Sequence, residues 1–123
     1  MNIVLWILQA LLALAFLAHG VLLLAPPADI AAAMNAELPR PFWVFLGIAE
    51  VAAAVGLTLP GVTRVRPGLV TWAAVGVTFV MVCATVWHVV RAEYQSAVIT
   101  LVLLAMATFT AYARWRLLPI RSR

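Results

Sequence analysis

The sequence predicts an all-α membrane protein: a four-transmembrane-helix bundle that forms a single integral membrane domain, with both termini cytoplasmic. Its 123 residues are 67% hydrophobic and 10% charged, with a mean hydropathy of +1.12, well above the range of soluble globular domains. Four apolar runs approach or exceed the roughly 18 residues that a membrane span needs. The charged residues lie mostly between the runs, which leaves no room for a soluble domain.

The first two runs predict spans at about residues 3–25 and 42–59. The first run ends at Pro26. It lacks a preceding basic segment and is longer than the apolar part of a usual signal peptide, so we expect it to remain as a span. The second run follows Pro41, which favours a helix start, and we expect Pro60 with its neighbouring glycine to break the helix.

The last two runs predict spans at about residues 68–90 and 96–113. The third run begins after Pro67. The fourth lies between the polar stretch 91–95 and a basic tail at 114–123. An even number of spans places both termini and the turn between the second and third spans on one side of the membrane.

Arginine positions predict the orientation of the bundle. The side with the termini carries six of the eight arginines, and the other side carries two together with three acidic residues. The first group is Arg64, Arg66, Arg114, Arg116, Arg121 and Arg123; the second is Arg40 and Arg91 with Asp29, Glu37 and Glu93. The positive-inside rule therefore predicts cytoplasmic termini.

Composition also excludes several classes of function. The pI of about 10.7 is typical of nucleic-acid binding, but the arginines lie at the ends of apolar runs and form no basic helical face, so we expect no nucleic-acid partner. Cys83 is the one cysteine, which excludes an intrachain disulfide and a CxxC motif. The use of arginine without lysine indicates a bacterial genome rich in G and C, and favours the bacterial inner (plasma) membrane as the location of this multi-pass protein.

Glu50 is the most informative residue, because it places a carboxylate in the middle of the second span. A charge at the centre of a spanning helix costs roughly 2.5 to 3.5 kcal/mol, so an intramembrane acid indicates a functional site. Gly47, Ala53 and Ala54 share its helical face, which allows a neighbouring helix to approach closely. The alternative is a structural carboxyl group, protonated or hydrogen-bonded, that fixes the second span against its neighbours.

Counting depth along each span predicts that the polar residues converge. At 1.5 Å per residue, His19 lies about 9 Å, Glu50 about 12 Å and His88 about 3 Å below the outer ends of their spans. Arg91 and Glu93 follow in the outer turn between the third and fourth spans. The alternatives are a carbonyl-bonded imidazole at His19 and a simple loop ion pair between Arg91 and Glu93.

These positions give a predicted site in the outer half of the bundle. Thr85 joins it because Thr78, Met81, Thr85 and His88 recur at spacings of 3, 4 and 3 and form one stripe on the third span. Glu50 and His19 are the predicted catalytic residues, since carboxylate and imidazole relay protons. The predicted ligand-binding residues are His88, Arg91, Glu93 and Thr85. No resident metal is assigned, and whether the protein is an enzyme stays open.

Several segments resemble the DoxX-like family of small four-helix membrane proteins. They are Gly47 to Glu50 in a Gly-x-x-Glu arrangement, Leu59 to Gly61, Met81 to His88 leading to Arg91 and Glu93, and Ala111 to Arg114. The resemblance runs from the His19 and Gly20 pair to the tail. It implies a four-helix membrane bundle. The family takes its name from a membrane subunit linked to quinone-dependent oxidation of sulfur compounds, and some relatives are tied to redox stress or to the assembly of other membrane proteins.

Three functions remain open. In the first, the outer site binds a quinone-like or other lipophilic small molecule, Glu50 and His19 exchange protons with it, and His88 with Arg91 forms the mouth. A redox version needs electrons from a bound cofactor or partner, because the chain has no flavin or nicotinamide motif. In the second, the protein is a non-catalytic subunit or assembly factor with a structural polar cluster. Small residues such as Ala52 and Gly56 permit a homodimer or a partner membrane subunit.

The third function is a metal or haem site with His19, His88 and Glu50 as ligands. The depth count disfavours it, because the two imidazoles lie about 6 Å apart along the bilayer normal when the helices are straight and untilted. Helix tilt would close this gap.

Overall fold

The computed structural model describes residues 1–123 and contains five α-helices, a final π-helical turn and no strand. The α-helices are α1 (Asn2–Leu24), α2 (Ala28–Glu37), α3 (Arg40–Thr63), α4 (Gly68–Val90) and α5 (Tyr94–Tyr112), and the π-helical turn is Ala113–Leu117. Helices α1, α3 and α4, and α5 together with the π-helical turn, are long and apolar enough to cross a membrane. The predicted all-α bundle with four spans is therefore confirmed.

The four long helices pack as two pairs. Helix α1 lies mainly against α3 and α4 mainly against α5, while contacts between α3 and α4 and between α1 and α5 join the pairs. Leu12, Phe16, Leu57 and Val77 are among the buried apolar side chains of the core. Most other large apolar side chains are exposed on the outside of the bundle, as expected where helices face lipid.

The bundle has two ends. The terminal end carries both chain termini and the turn between α3 and α4, and the α2 end carries α2 and the turn between α4 and α5. At the α2 end, the guanidinium group of Arg40 donates hydrogen bonds of 2.7 and 2.6 Å to the carbonyls of Leu23 and Leu24. These carbonyls have no partner within α1 because they belong to its last turn. Arg40 therefore fastens the start of α3 to the end of α1.

Helix α2 was not among the predicted elements, because its ten residues are too short and too polar for a span. Its alanine content and the acidic Asp29 in its first turn favour a helix all the same. The indole Nε1 of Trp43 lies 2.9 Å from the carbonyl oxygen of Met34 and 3.1 Å from that of Leu38. This contact holds α2 against α3.

The expectation that Pro60 and Gly61 break the second span is wrong, because α3 continues to Thr63. Pro60 lies one turn from the end of α3, where its missing N–H removes only one of the last intrahelical bonds. The helix ends instead at Arg64, which adopts a left-handed conformation with φ of 59°.

Small residues set the distance between α1 and α3. A Cβ atom on Gly20 would lie 2.9 Å from the carbonyl oxygen of Gly47, and a Cβ atom on Gly47 would lie 3.0 Å from that of Gly20. The two backbones therefore approach as closely as glycine permits. Further along α3, a Cβ atom on Gly56 would lie 2.9 Å from that of Ala73 in α4, so Gly56 packs within the chain.

Candidate functional site

Glu50 lies buried near the middle of α3, one turn after Gly47, with 4% of its surface exposed. Its Oε1 is 2.8 Å from Nδ1 of His19, which precedes Gly20 in α1. The glycine contact brings the two helices close enough for this hydrogen bond. A carboxylate at Glu50 accepts the proton of Nδ1–H, and a carboxylic acid donates its own proton to Nδ1. The structure thus brings together the two predicted catalytic side chains.

The two side chains differ in exposure. The side chain of His19 is 55% exposed, whereas that of Glu50 is 4% exposed. The imidazole therefore connects the buried carboxyl group with the outside of the bundle. The hydrogen-bonded pair thus extends from the core of the bundle to its outer face.

A cavity of about 430 Å³ lies beside this pair, and we call it the Glu50 cavity. All four long helices contribute to its wall, and eight of its thirteen lining residues are hydrophobic. Its polar lining residues are His19, Glu50, His88, Ser96 and Thr100. The cavity has the size and the mostly apolar wall of a small-molecule site.

One oxygen of Glu50 has no partner in the protein. Oε1 is bonded to His19, but Oε2 is buried and makes no hydrogen bond. Leaving a buried polar atom unpaired costs about 1 to 3 kcal/mol, and more for a charged group. A hydroxyl or other donor in the Glu50 cavity would remove this cost.

His88 lies at the wall of the same cavity and is held from outside it. Its Nδ1 is 2.9 Å from Oε1 of Glu93, and Arg91 Nε lies 3.4 Å from the same oxygen. Arg91 also donates a 2.6 Å hydrogen bond from Nη2 to Glu37 of α2 and lies over the ring of Trp87. Arg91 and Glu93 do not line the cavity. They form an ion-pair cluster that fixes His88 and ties the turn to α2.

The cluster changes the acidity of its exposed carboxyl group. The hydrogen bond with His88 lowers the pKa of Glu93 below its ordinary value, and the positive charge of Arg91 lowers this pKa further. Together these effects exceed the opposing effect of desolvation on the pKa of Glu93. Glu93 therefore stays ionised at lower pH than a free glutamate, which keeps the cluster intact in mildly acidic solution.

The predicted stripe on α4 divides between two surfaces. Met81 and His88 line the Glu50 cavity, but Thr85 does not. The hydroxyl of Thr85 is instead hydrogen-bonded to that of Thr100, 2.9 Å away in α5. At 3.6 residues per turn, Met81 and His88 point within about 20° of each other, whereas Thr78 and Thr85 lie about 40° to 80° round the helix. The spacings of three and four residues were thus too coarse to distinguish the face with Met81 and His88 from the face with Thr78 and Thr85.

Three residues near the site were missed by the sequence interpretation. Ser96 and Thr100 line the cavity from α5, and Glu37 binds Arg91 from α2. The spacing of four between Ser96 and Thr100 near the start of α5 is the signal that would have found the first two. Glu37 gave no such signal, since its partner is 54 residues away.

The two histidines and the acidic side chains do not form a cluster of metal ligands. No group of three His, Cys, Asp or Glu side chains lies close enough together to hold a metal ion. His19 and His88 line the same cavity, but each is bonded through Nδ1 to a different carboxyl group. Each imidazole thus forms its own pair with one carboxyl group.

The model of the DoxX-like family matches residues 7–110. The chain belongs to the DoxX-like family. The resemblance predicted from the sequence is thereby confirmed, and the matched range contains His19, Glu50, His88 and the entire wall of the Glu50 cavity. Arg114 and the tail after it lie beyond the matched range. No curated protein and no solved structure matches the chain.

Proposed function

We propose that this DoxX-like membrane protein binds a quinone-like or other lipophilic small molecule in the Glu50 cavity. The observation that carries the proposal is that Glu50 lines a mostly apolar cavity and has a buried Oε2 without a hydrogen-bond partner. A ligand hydroxyl that donates to Oε2 would complete the hydrogen bonding of the carboxyl group. The apolar wall favours an apolar ring, and the location within the four spans gives such a molecule access from lipid.

The chemistry of the pair extends the proposal from binding to proton exchange. A ligand hydroxyl bonded to Oε2 can pass its proton to Glu50, and His19 can carry a proton onward from Oε1 to the exposed side. When Glu50 is protonated, its carboxylic acid can instead donate a hydrogen bond to a carbonyl on the same ligand. A redox reaction would in addition need an electron acceptor or donor, so the proposal is limited to binding and proton exchange.

Ligand retention tests the proposal. Wild-type protein, Glu50→Gln and Glu37→Gln are purified in mild detergent, and the bound quinones and lipids are extracted and identified by mass spectrometry. Glu37 is the matched control, because it lies at the same end of the bundle and does not line the cavity. We expect a lipophilic compound in wild type and in Glu37→Gln. In Glu50→Gln its amount falls about tenfold, as expected for loss of a hydrogen bond to a charged group.

Two results would contradict this proposal. Retention of no compound by wild type removes its support, and equal retention by wild type and Glu50→Gln shows that the carboxylate does not hold the ligand. An absorption spectrum of the same wild-type sample tests the haem alternative through its Soret band.

A second candidate function is that of a non-catalytic membrane subunit or assembly factor. The observation in its favour is that the hydrogen bond between His19 and Glu50 joins α1 to α3 and therefore also stabilises the bundle. This role predicts that Glu50→Ala depletes the protein from membranes while Glu50→Gln accumulates normally. Under this alternative, neither Glu50→Gln nor wild type retains a ligand, and the protein instead co-purifies with a membrane partner or a second copy of itself.

A further inference from the structure

Arg114 is a buried cation at the terminal end, far from the Glu50 cavity. It lies in the π-helical turn after α5 with 4% of its surface exposed. Its Nε donates a 2.7 Å hydrogen bond to Oε1 of Gln9, and its Nη1 donates to Oδ1 of Asn2 at 2.7 Å and to the carbonyl of Leu118 at 3.0 Å. Gln9 is itself oriented, because its Nε2 donates to the carbonyl of Leu57. Arg114 is therefore held by α1 and by the residue after its own turn, and Gln9 links it to α3.

None of these partners neutralises the charge of Arg114. All of them are uncharged oxygen atoms, and no ion pair in the structure includes Arg114. The four acidic residues of the chain lie elsewhere: Asp29 and Glu37 in α2, Glu50 in α3, and Glu93 in the turn after α4. The face of the Trp6 ring, 5.2 Å from the guanidinium carbon, is the remaining favourable contact. A buried charge without a counter-ion is costly, so the site favours an added anion.

One nitrogen of Arg114 is also left free. Nη2 is buried and has no hydrogen-bond partner. Nη2 of Arg114 and Oε2 of Glu50 are the two buried side-chain atoms of this kind in the chain. A donor on a cation forms its strongest hydrogen bonds with a negatively charged acceptor, such as a phosphate or carboxylate oxygen.

Arg114 forms part of the wall of a cavity of about 820 Å³, which we call the Arg114 cavity. Thr71 and Trp72 line it from α4, and Tyr112 and Trp115 line it from the end of α5 and the π-helical turn. Trp72, Tyr112 and Trp115 are exposed on the outside of the bundle. Aromatic side chains of this kind are enriched where a membrane meets water. The cavity thus joins a buried cation to the lipid-facing surface.

We propose that the Arg114 cavity is a second ligand site, which takes an anionic amphiphile. The phosphate or carboxylate of this amphiphile accepts a hydrogen bond from Nη2 of Arg114, and its acyl chain passes Trp72 into the bilayer. The two cavities share no lining residue, so this site is separate from the one around Glu50. Five further arginines at the terminal end give it a positive surrounding potential that attracts anionic lipids.

Thermal unfolding with added lipid tests the second site. Purified protein in neutral detergent is titrated with dioleoylphosphatidylglycerol, with oleate, with inorganic phosphate and with dioleoylphosphatidylcholine, and Tm is followed by tryptophan fluorescence. Arg91→Gln is the matched control, since it removes the same charge from the α2 end of the bundle and Arg91 does not line the Arg114 cavity. We expect phosphatidylglycerol or oleate to raise Tm of wild type and of Arg91→Gln. The apparent Kd for that lipid rises about tenfold or more in Arg114→Gln.

A second variant covers the case in which Arg114→Gln does not fold. Thr108 is exposed on α5 and lines the cavity, and its hydroxyl bonds only within α5. Thr108→Trp narrows the cavity, keeps Arg114, and is expected to reduce the rise in Tm. Phosphatidylglycerol and oleate distinguish a phosphate from a carboxylate as the bound group.

Three results would overturn the proposal. The first is equal stabilisation by phosphatidylcholine and by the anionic lipids. The second is stabilisation by inorganic phosphate alone, which points to a free ion and not to an amphiphile. The third is an unchanged lipid response in both Arg114→Gln and Thr108→Trp. None of these results bears on ligand retention at Glu50.

Discussion

Replacement of Gly20 by alanine should separate α1 from α3 and weaken the hydrogen bond between His19 and Glu50 in the wall of the Glu50 cavity. The added Cβ atom would lie 2.9 Å from the carbonyl oxygen of Gly47 and 3.1 Å from the backbone nitrogen of Val51. Both are backbone atoms, so no side-chain rotation relieves the contact. Ordinary van der Waals contact begins near 3.4 Å, so the helices must move apart by several tenths of an ångström.

This separation has two measurable consequences. Overpacking of a close contact destabilises a protein by about 1 to 3 kcal/mol, and we expect a loss of this size for Gly20→Ala. The hydrogen bond between His19 and Glu50, 2.8 Å long, lies beside the contact and would lengthen toward the limit of a hydrogen bond. Retention of the lipophilic ligand should therefore fall together with stability.

The assay is unfolding in mixed micelles by titration with a denaturing detergent, followed through the five tryptophans of the chain. Gly76→Ala is the matched control, because a Cβ atom on Gly76 in α4 meets nothing within 4 Å. This control should be neutral, or more stable by up to about 1 kcal/mol through helix propensity. Equal free energies of unfolding for the two variants would refute the assignment of this close contact to the bundle.

Three further predictions concern other contacts. Arg40→Gln should lower the free energy of unfolding by about 1 to 2 kcal/mol in the same assay, because the last two carbonyls of α1 lose a charged donor. His88→Ala should raise the pKa of Glu93 toward its ordinary value of 4.5, as read from a pH titration by carbon NMR. The pKa of Glu93 is lowered only in the folded state, so the stability that Glu93 contributes is present above pH 4.5. This stability is lost as the pH falls through the folded-state pKa. His88→Ala should therefore lose less stability on acidification than wild type. The effects of Glu50→Gln and Arg114→Gln on the free energy of unfolding should add within about 0.5 kcal/mol, and a larger coupling would show that the two sites are linked.

The sequence was sufficient to predict the four spans and the meeting of Glu50 with an imidazole. Length and hydropathy predict spans because the bilayer requires about 20 apolar residues to cross it. Depth counting worked for His19 and Glu50 because both lie inside regular helices that pack closely at Gly20 and Gly47. The same counting did not predict α2, since a helix of ten residues is too short to be recognised as a span.

Arg114 shows what charge counting leaves out. The sequence interpretation grouped it with five other arginines as a topology signal, yet it is buried and bonded to Gln9, 105 residues earlier in the chain. A hydrogen bond between residues this far apart depends on how the ends of α1 and α5 come together, and no local pattern reports that. Gln9 in turn donates a hydrogen bond to the carbonyl of Leu57, which links this end of α1 to α3 as well.

The two unpaired buried atoms explain why the ends of this bundle should bind different molecules. Oε2 of Glu50 is an acceptor when the group is ionised, whereas Nη2 of Arg114 is a donor on a permanent cation. An acidic ligand would be repelled by the carboxylate of Glu50 and would pair with the guanidinium group of Arg114. A neutral ligand with a hydroxyl would donate a hydrogen bond to Glu50 but would leave the charge of Arg114 without a counter-ion. Because each atom lies on a residue that lines its own cavity, we expect the two proposed sites to select ligands of different charge.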